Sequence, residues 1–467
     1  MKRKLIILLL FSISLIYCIE EFGKMHPIFK CNVDKPNITP KPAKNILPLN
    51  TNNKIIINKL NENNESFKDY NIFLDLYNFE DEIKKYNLQA YRDLFITGLK
   101  KAITTIESLL KVKQVKNYIF TDEQIIELEI NNWDKTKIGN ETIKKDIGMV
   151  DLGIDLYIFV KFGDNESMGE NTLAHAGSYY FDNPSGQPLL GIVTINRNVD
   201  FKKKNSLRYF EGVILHEFTH ILGFSNYVFK TFLHNYVLKY DNDLIQRAYI
   251  NSPKVVSIAK KYFNCPTIEG VQLEEYGGTG TFGSHWEEKI LLGDYMTGVI
   301  YEEEQVISEF TLALLEDIGF YKANYYTGGL MKFGKNKGCD FLYKKCVIDN
   351  KVNPEFQNEF FNIFDTKYNN YLDPACTSGR QSRVYHYLLN YGDDAIPSPY
   401  QYYGNPKIGG RSSANYCPVF MNDIQSTKDI YYLGHCSDIG SNLYGDSITY
   451  TYSKTEKNYV SNGYYHH

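Results

Sequence analysis

After its first eighteen residues the chain has no apolar run long enough to cross a bilayer, which excludes a helical membrane protein as the expectation for the mature chain. It also lacks a basic block. The 51 Lys and Arg are scattered among 55 Asp and Glu, for a net charge of −4, so neither nucleic acid nor an anionic lipid surface is an expected partner. No internal repeat is present, which argues against a solenoid or propeller. The tail TEKNYVSNGYYHH carries no hydrophobic segment of the kind that signals a lipid anchor.

What is present begins with a basic start at Lys2, Arg3 and Lys4 and an apolar stretch from Leu5 to about Tyr17. That length suits a signal-peptide core and is short for a membrane span. Residues 1–18 are therefore expected to be removed near Cys18, leaving a secreted, lumenal or cell-surface protein; no clean small-x-small site is there, and an uncleaved anchor is the alternative. Seven cysteines would remain: Cys31, Cys265, Cys339, Cys346, Cys376, Cys417 and Cys436. The last six could form three disulfides in any of about 15 connectivities, and Cys31 stands alone. Sequons at Asn37, Asn64, Asn140 and Asn165 agree with a secretory route, though chance sequons are common.

Residues 19–66 are rich in Asn and Pro with no periodicity, and read as a pro-segment. YNIFLDLYNF then predicts a strand, and apolar residues at three- and four-residue intervals from Leu88 to Leu110 predict a long helix packed by one face. Strands are expected at 153–162 and 188–196, and a helix from Asn205 or Ser206 to a stop at Gly223. The expected organisation is α+β: residues 67–226 as an N-terminal catalytic subdomain of sheet and active-site helix, 227–333 as a central subdomain, and 334–467 as a loop-rich, disulfide-containing C-terminal domain. Within the central part a helical portion, a Gly-rich stretch and two apolar helical segments near EEKILL and SEFTLALLEDIGFY are expected.

The helix predicted before Gly223 holds HEFTH. On a helix His216 and His220 lie one turn apart on the same face, so both imidazoles can reach one Zn²⁺. Glu217 then stands beside the metal, where a general base would take a proton from zinc-bound water. The bland alternative is a helix with two partly exposed histidines, and the five-residue pattern alone is weak. Apolar flanks and Gly223, three residues after His220, favour the metal.

A catalytic zinc needs a third protein ligand and an open position. In the short-spaced version of the motif a third histidine falls where this chain has Asn226, and no glutamate occurs between His220 and Glu269 to serve in its place. His234 sits in KTFLHNYVL, which reads as the apolar face of a helix and so as packing. His285 is the better candidate, since it follows a flexible Gly-rich approach and precedes Met296 in a turn.

The set HEFTHILGF, SHWEEKILLGDYMTG with 64 residues between His220 and His285, EFTLALLEDIGFY and GKNKGCDFL resembles the leishmanolysin family of metzincin zinc proteases, over roughly Tyr70 to Cys436. The resemblance implies that His216, His220 and His285 bind one Zn²⁺, Glu217 is the catalytic base and Met296 forms the Met-turn beneath the metal. It implies a metzincin-type catalytic domain with a large insertion before the third histidine, and Trp286 and Glu287 as structural neighbours. LAHAGSYYFDNPSGQPLLGIVTIN resembles the strand region that lines the substrate cleft, with Tyr179 or Tyr180 where relatives often have cysteine. Phe320 stands where the family commonly has Trp.

Relatives carry a pro-segment cysteine thought to occupy the zinc until the segment is removed, and Cys31 is in the right region. KCNVDK keeps Asp34 but lacks the usual histidine, so a latency switch and a merely free or intermolecular thiol both stand for Cys31. The implied function is a secreted, monomeric zinc metalloendopeptidase acting on proteins or peptides. Its rivals are an inactive glycoprotein that uses the same fold for binding or adhesion, and a zinc hydrolase outside the metzincins with a different third ligand.

Overall fold

The computed structural model describes residues 41–42, 67–76, 78–115, 118–119, 137–138, 141–142, 149–169, 172–182, 185–199, 206–233, 235–240, 245–275, 281–300, 306–325, 331–356, 359–361, 375–376, 383–384, 388–392 and 395–420. The expected signal peptide, Cys31, Cys436, His234 and the sequons at Asn37, Asn64 and Asn140 lie outside them.

Mixed helix and sheet surround a main apolar core that draws on residues from Tyr70 to Val419, with a second, smaller buried cluster that includes Tyr157, Tyr180 and Leu190. The principal sheet uses β1 (Lys41–Pro42), β2 (Ile72–Asp75), β3 (Leu156–Gly163), β4 (Ala174–Phe181) and β5 (Pro188–Asn196). Their spatial order is β1-β4-β5-β3-β2. β3 pairs in parallel with both β2 and β5, and β4 runs antiparallel to β5. Central parallel strands are covered on both faces, which is why LYIFVKFG and PLLGIVTIN are nearly continuous apolar runs rather than alternating ones. In β4 the register slips between Ser178 and Tyr180, so Tyr179 is the extra residue of a bulge.

The helix expected from Leu88 begins as a single 3₁₀ turn at Gln89–Tyr91 and becomes α1 (Arg92–Leu109). It buries Phe95, Leu99, Ala102, Ile103, Ile106 and Leu109, and each of the large side chains among them is worth about 1.5–3 kcal/mol when taken from water. Against it lies α2 (Ser206–Ile221), which also packs on β4 and β5. Two glycines allow that approach. A Cβ on Gly98 of α1 would come within 2.4 Å of the Phe210 ring, and one on Gly191 of β5 within 2.3 Å of Ile221 Cγ2. The C-terminal end of α2 is pinned from both sides: Ser178 Oγ donates to the Ile221 carbonyl at 2.6 Å and Tyr321 Oη to the Leu222 carbonyl at 3.0 Å.

After α2 the chain departs from the expected helix-then-loop order. A short helical turn at Phe229–Leu233 leads into a hairpin of β6 (Tyr236–Tyr240) and β7 (Gln246–Ile250), with β8 (Val271–Gln272) added to β7. Between them α3 (Pro253–Phe263) packs against α4 (Glu309–Ile318). Of the two expected apolar helical segments, SEFTLALLEDIGFY supplies α4, whereas EEKILL forms only one turn, Glu288–Leu291. α4 starts where Ser308 Oγ accepts the Phe310 and Thr311 amides, and ends at Gly319 with φ +95°.

Two disulfides join described cysteines, Cys265–Cys339 and Cys346–Cys417. The first crosses the boundary expected at residue 333. So does the buried cluster in which Arg247 pairs with Glu275 at 2.8 Å and both bond Tyr400. No helix among the described residues is long and apolar enough to cross a membrane.

Candidate metal centre

α2 ends in a turn that explains the glycine three residues after His220. Gly223, at φ +118°, donates to the His220 carbonyl at 3.1 Å and Phe224 to the Thr219 carbonyl at 3.1 Å, the paired bonds of a Schellman cap. The reversal brings the Phe224 carbonyl back beneath the helix. There it accepts the His220 Nδ1–H at 2.6 Å.

His285 arrives on a different kind of support. Its carbonyl accepts the Glu274 amide at 2.8 Å, and the Trp286 amide donates to the Met296 carbonyl at 2.9 Å, so the loop is held between two neighbouring strands of chain. The turn before it needs glycine: Gly283 has φ +71°, and a Cβ there would lie 2.8 Å from the Tyr236 hydroxyl and 3.3 Å from Asn226 Nδ2. Asn226, the position that would be a ligand under short spacing, thus packs against the loop that carries His285.

The structure brings His216, His220 and His285 together in a buried group, with no other cluster of three or more metal-ligating side chains among the described residues. His216 Nε2 lies 3.0 Å from His220 Nε2 and 3.2 Å from His285 Nε2. Each Nδ1 faces a backbone carbonyl: Tyr295 for His216 at 2.6 Å, Phe224 for His220 at 2.6 Å and Thr281 for His285 at 3.2 Å. A carbonyl can only accept, so the Nδ1 atoms carry the protons and the three Nε2 atoms present lone pairs to one another. Three lone pairs at that spacing repel unless a cation lies among them. Tetrahedral Zn²⁺ with bonds of about 2.0–2.1 Å sets its nitrogens about 3.3 Å apart, so the donor set fits a zinc-like ion.

Burial is the largest influence on all three rings. It lowers His216 to about 4, and, helped by repulsion from His216, His285 to about 3; His220 is held well below the ordinary histidine value by burial and by both neighbours. The site therefore holds neutral, metal-ready imidazoles at physiological pH. The sign for stability follows. In chelated protein the unfolded chain takes up protons on these rings below pH about 6.5, while the folded chain refuses them until pH about 4 for His216 and 3 for His285. Stability is whole above pH 6.5 and falls as the pH drops, by up to about 1.4 kcal/mol per pH unit for each ring. Urea midpoints of chelated protein at pH 7.5 and pH 5 should show this, and zinc restored at pH 5 should recover part of the loss.

Glu217 is buried on α2 between the first histidine and Thr219. Met296 is buried, and its amide donates to Asp294 Oδ1 at 2.6 Å. Burial pushes the Asp294 carboxyl up to about 6 despite the donors around it. Trp286 is fully buried with Nε1–H on Thr311 Oγ1 at 2.9 Å, and Phe320 is buried. The carbonyls of Tyr295, Phe224 and Thr281 were beyond the reach of sequence reasoning, because a main-chain acceptor has no residue type. Gly223 was the one local signal, and it marks the Phe224 turn.

The leishmanolysin model, peptidase family M8, matches residues 88–442. The chain is 32% identical over 237 residues to a leishmanolysin homolog of Crithidia fasciculata, covering 50% of this chain and 34% of that one. It is 31% identical over 226 residues to a leishmanolysin-like peptidase of Drosophila pseudoobscura pseudoobscura, covering 46% and 31%. To leishmanolysin of Leishmania donovani it is 27% identical over 341 residues, covering 71% and 52%. The matches thus span about a third to a half of the length of these relatives. With the family model matched over most of its length, this chain belongs to the leishmanolysin family.

Proposed function

We propose that the chain is a secreted, zinc-dependent metalloendopeptidase of metzincin type, with His216, His220 and His285 as the zinc ligands, Met296 as the Met-turn and residues 221–284 as an insertion before the third ligand. One observation carries the proposal: three buried Nε2 lone pairs in one group, that of His216 about 3 Å from each of the other two, with each ring locked by a carbonyl on Nδ1. Zinc bound there would supply Lewis acidity, polarising the scissile carbonyl and lowering the pKa of water towards neutrality. Glu217 takes the water's proton and passes it to the leaving amine. An extended peptide lies along β4, where main-chain bonds recognise many sequences. Two disulfides support an oxidising compartment, and with it the reading of residues 1–18 as a signal peptide.

Latency belongs to the same proposal. β1 pairs in parallel with β4, Lys41 beside Tyr180 and Pro42 beside Phe181, so part of the expected pro-segment holds the outer side of that strand. Cys31 lies ten positions earlier, on a tether that extends to about 33 Å at most, and its thiolate would compete for the metal. The test is cleavage of a quenched peptide library by protein with the leader removed. Chelation should abolish turnover and zinc should restore it. Stoichiometric zinc with no cleavage under any processing condition would favour the binding-glycoprotein alternative.

A further inference from the structure

We infer that Tyr295 and Asp294 are positioning residues for the metal centre, with Tyr295 holding His216 and its helix at two points and Asp294 fixing the turn from which Tyr295 does so. The inference rests on the metallopeptidase proposal and goes beyond its ligands and base.

Of the three Nδ1 partners, two are local: Phe224 is four residues after His220, and Thr281 four before His285. His216 alone takes its carbonyl from a distant segment, Tyr295, 79 positions away. The same residue grips α2 again through its side chain. Thr219 Oγ1 donates to the Leu215 carbonyl at 2.8 Å, so its contact with Tyr295 Oη at 2.9 Å is one that Tyr295 donates. Thr219 lies between Glu217 and His220. Tyr295 therefore sets both the rotation of the His216 ring and the phase of the helix that carries the motif.

A grip is only as rigid as the turn behind it. Asp294 accepts the Met296 amide at 2.6 Å and the Thr311 hydroxyl at 3.0 Å, and Ser308 bonds it as well. Thr311 in turn accepts the Trp286 indole N–H at 2.9 Å, and Trp286 follows His285 directly. The helix ligand and the loop ligand are thereby tied to one buried network through one carboxylate. Residues that orient metal-bound histidines from outside the ligand set typically change metal affinity 10–100-fold when altered.

The test uses mature protein and zinc competition against a chromophoric chelator, with the visible spectrum of the cobalt-substituted form. Asp294→Asn is expected to weaken zinc binding about 10–100-fold and Tyr295→Phe about tenfold, both with a shifted cobalt band. A double variant should lose little beyond Asp294→Asn, because the two act in series. Wild-type zinc affinity and cobalt spectrum in both variants, with only the unfolding midpoint moved, would overturn the inference. Should Asp294→Asn not fold, Tyr295→Phe decides alone, since it leaves the turn's backbone bonds in place. If wild-type protein bound no zinc at all, the metallopeptidase proposal would fall with it, a result distinguishable from variant indifference.

Discussion

Glu217→Gln should leave zinc binding intact and reduce peptide hydrolysis by a factor on the order of 10²–10⁴, the usual contribution of a positioned general base. The substitution preserves shape and one acceptor oxygen, and removes the carboxylate's charge and proton affinity. Glu217 is 1% exposed and sits one residue after His216, on the stretch of α2 that Tyr295 and the Gly223 turn hold in place. None of those supports involves its carboxylate, so the three imidazoles have no reason to move. Removing a buried negative charge also relieves a desolvation cost, and the unfolding midpoint should stay level or rise. Zinc stoichiometry and single-turnover rates on the same preparation check both halves. Hydrolysis at wild-type rate would deny Glu217 the base role, whatever the metal content.

The two histidines and the glutamate were legible because a helix imposes its own geometry: positions four apart must share a face, and an apolar surround says that the face is buried. Gly223 was legible as a stop for the same local reason. Parallel strands β3 and β5 could be read from apolar runs of strand length. Ambiguity entered where one residue suits two templates. Leu110 continues the helical spacing from Ile103 and Ile106, yet with Val112 it also fits strand alternation, and pairing with Tyr321–Ala323 decides for the strand. The β6–β7 hairpin was missed because its support is remote. β8 pairs with it from more than twenty residues on, and Tyr236 meets the Gly283 turn that serves His285. The disulfide partners and the placement of β1 on β4 are likewise settled by tertiary contact and not by spacing.

In the proposed ligand set His285 is the member the helix cannot supply, and its loss should cost the metal. With His285→Ala, two imidazoles one turn apart remain. Structural zinc in four-ligand sites is bound by roughly 10–16 kcal/mol, or roughly 3 kcal/mol per ligand, which corresponds to a loss on the order of 10² in affinity. Truncation costs more than a bond here, because it opens a void in a fully buried site whose remaining lone pairs, 3.0 Å apart, stay unpartnered. His234→Ala is the matched control, expected to keep one zinc per chain and full turnover. The pair of variants separates the 64-residue spacing from a shorter one. The alternative is a site completed by His234, 14 residues beyond His220. Full zinc in His285→Ala together with its loss in His234→Ala would move the third ligand to His234, and with it the metzincin assignment. The opposite pattern would leave Thr281, Gly283 and Tyr236 as the supports of a ligand loop whose position depends on the insertion itself.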